Sequence, residues 1–93
     1  IEMVCVFAAN KVPYYKEGQF LSTAKKLVDE SVKEEGCITY ELCVKDDSYI
    51  FFERWESKEA LEKHKKTSHY TECVPKMETL RTSGETIVME KLF

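Results

Sequence analysis

Hydrophobic and polar residues change their period along this chain, and each change marks an element. Met3, Val4, Cys5, Val6 and Phe7 form a nearly unbroken apolar run within Glu2 to Ala9, ending at Asn10. That is the pattern of a short strand buried on both faces. After Pro13, the stretch Tyr15 to Glu35 sets Phe20, Ala24, Leu27 and Ser31 at alternating spacings of four and three, with Leu21, Val28 and Val32 beside them. This predicts one long amphipathic helix. Gly36 then takes the left-handed position that commonly ends a helix. From Cys37 to Lys45 the period drops to two, with Ile38, Tyr40, Leu42 and Val44 against Thr39, Glu41, Cys43 and Lys45. Asp46-Asp47-Ser48 reads as a turn and Tyr49 to Trp55 as the second arm of a hairpin, with Tyr49, Phe51, Glu53 and Trp55 on one face.

Ser57 is a good N-cap for a helix reaching Thr67, with Ala60, Leu61 and His64 on one side and i,i+4 pairs Lys58–Glu62 and Glu59–Lys63. Ser68 can cap a further segment in which Tyr70, Cys73, Met77 and Leu80 recur at helical spacing, with a kink or restart at Pro75. Gly84 leads to a last strand, Thr86 to Phe93. The order strand, helix, strand, strand, helix, strand is the split βαβ arrangement of an α+β domain: a four-stranded antiparallel sheet with helices on one face. The first and third strands are apolar on both faces, which is uncommon for the solvent side of a monomer. A homodimer with its sheets stacked face to face is therefore expected, and it would add stability to a short chain.

At 93 residues, 1–93 is read as one domain. Acidic and basic residues are mixed along it with a net charge of −3, which gives no footprint for nucleic acid or an anionic membrane. No apolar run is long enough to span a bilayer, and Ile1 to Ala9 lacks the basic region and cleavage pattern of a leader, so a soluble protein is expected. Cys37 and Cys43 share one strand too far apart to bridge, and with Cys5 and Cys73 they form no C-x-x-C or zinc-ligand spacing. Reduced thiols in the cytoplasm are expected, and no metal site.

Six residues could carry chemistry. His64, on the apolar side of its helix, suits a general base or a satisfied structural histidine. His69 follows the presumed cap and is expected to be exposed. Glu53 must face a pocket, a cation or the dimer interface, because an isolated buried carboxylate is costly, and pairing with Arg or Lys is the simplest solution. Trp55 is a core residue or the wall of an aromatic site. Asn10 serves the turn before Pro13 or a ligand oxygen. Tyr40 is aimed between sheet and helices. Phosphate-loop and serine-triad motifs do not occur.

Glu35-Gly36-Cys37-Ile38-Thr39-Tyr40-Glu41-Leu42, then Phe52-Glu53-Arg54-Trp55-Glu56-Ser57, Ala60-Leu61-Glu62-Lys63-His64 and Ser68-His69-Tyr70, resemble the antibiotic biosynthesis monooxygenase family over nearly the whole chain. The resemblance implies ferredoxin-like subunits paired into a dimeric α+β barrel. It also implies cofactor-independent monooxygenation of a quinol or other small phenolic aromatic, in which the substrate's own carbanion or phenolate reduces oxygen. On that likeness His64 is the base or proton shuttle, Phe51 and Trp55 form an aromatic wall, Asn10 and Tyr40 bond substrate oxygens, and Glu53 and His69 complete the lining. The same family resembles a source of haem-degrading enzymes, with an Asn, a Trp and a late axial His. Asn10 and Trp55 could match, but Val74 to Leu80 holds no His. Isomerases of small signalling metabolites and a non-catalytic dimeric module for a hydrophobic ligand are the alternatives.

Overall fold

A computed structural model describes residues 2–93; Ile1, in the stretch scanned for a leader, lies outside them. The strands are β1 (Val4–Lys11), β2 (Cys37–Lys45), β3 (Ser48–Trp55) and β4 (Ser83–Glu90), and the helices are α1 (Glu17–Ser31), α2 (Lys58–His64) and α3 (Ser68–Leu80). The strands form one antiparallel sheet in the order β2-β3-β1-β4. This is the ferredoxin-like α+β arrangement that the element order predicts. α1 packs against α3 over one face of the sheet. Between them lie Phe20, Ala24 and Leu27 of α1, Cys73, Met77 and Leu80 of α3, and Val4, Val6, Phe51 and Trp55 of the sheet. Each large side chain buried there contributes about 1.5–3 kcal/mol.

Several boundaries differ from the pattern-based reading, each for a local reason. Pro13 starts a 3₁₀ turn, Tyr14–Lys16, so α1 begins only at Glu17. Its far end tightens into bonds from Lys33 N to Glu30 O and Glu34 N to Ser31 O, which stops the helix at Ser31. Gly36, with φ +90°, therefore turns the chain into β2 instead of capping the helix. Ser57 does cap α2, but α2 ends at His64. The cap of α3 is Thr67, not Ser68: its hydroxyl accepts from Tyr70 N and donates to His64 O. α3 runs through Pro75 without a break. Lys58 reaches Glu90 at 2.9 Å, not Glu62.

The strands also shift. β1 begins two residues later than expected, and β4 begins three residues earlier because Thr82 N already bonds Lys11 O as the chain leaves α3. A bulge at Ile38 puts Cys37, opposite Trp55, on the same face as Tyr40, opposite Glu53. Ile38 is thereby pushed out to solvent. The inner face of the sheet carries Val4, Val6 and Asn10 of β1 and Tyr49, Phe51, Glu53 and Trp55 of β3, all buried. On the outer face, Cys5 and Phe7 are only half-buried and Phe52, Ile87 and Met89 are more than a third exposed. Within one chain, β1 is thus covered on one face only.

Candidate functional site

A cavity of about 310 Å³ opens between the helix-bearing face of the sheet and α3, at the lower end of the roughly 300–1,000 Å³ typical of small-molecule sites. Val6, Ala8, Phe51 and Val88 give it an apolar floor, and Leu27, Leu61, Val74 and Met77 line it from the helices. Polar groups enter at several points: Asn10, Tyr40, Glu53, His64, Tyr70 and Arg81.

His64 lies at the end of α2, its side chain 1% exposed. The α2 residues Ala60 and Leu61 anchor that turn in the core, so the imidazole is carried inward. Trp55, Tyr70 and Tyr40 pack around its ring at centroid distances of 4.5, 5.0 and 5.3 Å. Nδ1 lies 2.6 Å from Oε2 of Glu34, while Nε2 is buried without a hydrogen-bond partner among the described residues. Burial pushes the His64 pKa below its usual value, and the Glu34 carboxylate works against that shift.

His69 is not exposed as its place near the helix start suggests. Its side chain is 14% exposed, and Nε2 lies 2.7 Å from the same Glu34 oxygen. It stands behind His64, outside the cavity lining. Glu34, in the turn after α1, was not singled out by the sequence pattern: in Lys33-Glu34-Glu35 it reads as one charge among several on a solvated helix end.

Among the described residues no Arg or Lys forms a salt bridge with Glu53, contrary to the simplest expectation for a buried carboxylate, and the charge of Lys65 is the weakest of the influences on it. The Trp55 indole donates to its Oε1 at 3.0 Å. Burial raises its pKa to about 7, although Trp55 and the neighbouring Tyr40 hydroxyl pull it back down. The same burial, with the Glu53 charge nearby, drives the Tyr40 pKa upward, so this phenol stays protonated.

Trp55 is fully buried and does not line the cavity; it holds Glu53 and backs His64, while Phe51 does form part of the wall. Asn10 does not serve the turn before Pro13. Its amide donates to Tyr49 O at 3.2 Å and its oxygen accepts from Arg81 Nη1 at 2.8 Å. Arg81 and Tyr70 are cavity residues that the sequence pattern alone did not mark.

Glu34, His64 and His69 bring three possible ligand atoms within 4.8 Å of one another. Their 2.6 and 2.7 Å contacts are hydrogen-bond lengths. Donors around a tetrahedral zinc stand roughly 3.4 Å apart, so the trio would have to open to hold such an ion. The four cysteines, Cys5, Cys37, Cys43 and Cys73, are all free.

A small cavity with buried His64 and Glu53 on a ferredoxin-like α+β domain defines the class to which comparison with known proteins leads. The chain belongs to the antibiotic biosynthesis monooxygenase family, whose model matches residues 3–76. It is 31% identical over 93 residues to YcnE of Bacillus subtilis, provisionally named a monooxygenase, covering 97% of this chain and 98% of YcnE. It is also 32% identical over 91 residues to the uncharacterised protein sll1783 of Synechocystis, covering 94% of this chain but spanning only 62% of that longer protein. A solved structure of a conserved protein from Methanosarcina mazei superimposes with a TM-score of 0.94 at 26% identity, covering 98% of this chain and 94% of that one. These likenesses support a monooxygenase-like function at the level of the family.

Proposed function

We propose that this protein is a cofactor-independent monooxygenase acting on a small quinol or other phenolic aromatic, working in the cytoplasm as a homodimer. The observation that carries this reading is the buried, unpartnered Nε2 of His64 beside a small, mainly apolar cavity. Such a nitrogen can take a proton from a bound phenol or activated methylene. The electron-rich anion left behind reduces oxygen directly and forms the carbon–oxygen bond. The hydroperoxide, protonated by the imidazolium, then loses water to leave a carbonyl. One oxygen atom stays on the substrate, and the other leaves as water with the two hydrogens the substrate has lost, both from the carbon of a methylene or one each from O–H and C–H of a phenol. The side chains have three tasks: deprotonating, orienting against Phe51, and keeping bulk water from the anion.

Oxygen uptake against a panel of hydroquinones and anthrones, without added metal or flavin, tests the reading. The expected result is turnover above boiled protein that falls by about 10²-fold or more in His64→Ala. Uptake equal to boiled protein across the panel would overturn it. Glu53 and His64, two proton-handling groups on one cavity, would then favour an isomerase of a small enolisable metabolite, and saturable binding without turnover a binding module.

A further inference from the structure

We propose that Glu34 is the positioning residue of this site, fixing His64 as its Nδ1–H tautomer with the lone pair on Nε2, and that His69 steadies Glu34 from the outer side. The proposal rests on reading His64 as the base.

A carboxylate oxygen is an acceptor only, and Oε2 of Glu34 meets Nδ1 of His64 at 2.6 Å and Nε2 of His69 at 2.7 Å. Both nitrogens must therefore donate. A neutral imidazole has one N–H, so a proton on Nδ1 of His64 leaves Nε2 as the acceptor, and Nε2 is the buried atom without a protein partner. An imidazole free in water prefers the opposite tautomer, with its proton on Nε2 and nothing there to accept a substrate proton.

Chain geometry makes this arrangement a product of the whole fold. Glu34 is 30 residues from His64 and 35 from His69, and it comes from the turn between α1 and β2. The early end of α1 at Ser31 delivers its carboxylate to the α2–α3 junction. The Thr67 hydroxyl, bonded to His64 O at 2.7 Å and capping α3 through Tyr70 N, sets the spacing between the two histidines. The groups facing His64 are Glu34 and His69 across the bond, Lys65 beside it, and Tyr40 and Tyr70 over the ring. Glu34 is the acidic partner among them. When Nε2 takes a proton, Glu34 is thus placed to balance the new imidazolium charge, the role of an orienting carboxylate in a triad.

Nitrogen-15 NMR of the histidine rings, with Glu34→Ala, Glu34→Gln and His69→Phe variants, provides the test. In the native protein His64 should be protonated at Nδ1, and in Glu34→Ala its proton should move wholly or partly to Nε2. On a turned-over substrate, Glu34→Ala should lower kcat by about 10²-fold with KM held, and His69→Phe should lower it less. If Glu34→Ala fails to fold, Glu34→Gln, similar in shape, should still lower kcat because the compensating charge is gone. An Nε2–H tautomer in the native protein, or one unchanged in Glu34→Ala, would overturn the proposal. So would one equivalent of zinc removing both imidazole protons, which would make the trio a metal site. A tautomer that responds as expected in a protein that consumes no oxygen would support the positioning role and overturn only the monooxygenase reading.

Discussion

A carboxylic acid that is 9% exposed and takes its hydrogen bond from a neutral indole stores a pH dependence in the fold, and Glu53 is that residue. Its pKa rises from an ordinary value of 4.5 to about 7 in the folded chain. Between those values the folded state keeps a proton that the unfolded state has lost, so stability falls as pH rises through that window and stays lower above it. The cost above pH 7 is on the order of 3 kcal/mol. Glu53→Gln should therefore be more stable than the native protein at pH 8, with the gain shrinking to little by about pH 4.5, as thermal melts across that range would show. Sequence placed Glu53 on the inner face through its period-two spacing with Phe51 and Trp55, but it could not say that the neighbour would be an indole and not a cation. His64 was legible because Ala60 and Leu61 fix its helical side. Glu34 was not, because its partners come from a junction 30 and 35 residues away.

The elements themselves were legible wherever one face is apolar. α1, β3 and the hairpin between β2 and β3 follow from periodicity and turn chemistry, whereas the shortening of its turn to Asp46-Asp47 by the pairing of Ser48 with Lys45, the bulge at Ile38 and the early start of β4 depend on pairing with neighbouring strands. Gly36 is the point where an element boundary is most constrained. Its φ of +90° disfavours any side chain, and a Cβ there would stand 2.6 Å from the Cβ of Ala60, a contact backbone and helix cannot both accommodate without moving. Gly36→Ala should cost about 1–3 kcal/mol, read as a lower denaturant midpoint with an unchanged slope. The damage should fall on the start of β2 and on α2, because Gly36 O also accepts from Glu56 N at 2.8 Å.

At the scale of the molecule, the uncovered outer face of the sheet is the feature that asks for a partner. Phe7 and Phe52 stack edge to face at 5.3 Å there, flanked by the half-exposed Ile87 and Met89 of β4. A second copy laid on this face is the proposed occupant, and Phe52→Glu should convert a dimer to a monomer in sedimentation analysis while leaving each subunit folded. If sedimentation finds the native chain monomeric at working concentrations, the proposed homodimer is wrong. The alternation of β3 carries a further consequence. Phe52 stands between Phe51 and Glu53, so the residue that would meet the second subunit is covalently flanked by two that line the cavity. In such a dimer the sheet is one wall serving two rooms, and diluting the protein until the subunits part would slacken the floor of each cavity, so that specific activity becomes a function of protein concentration.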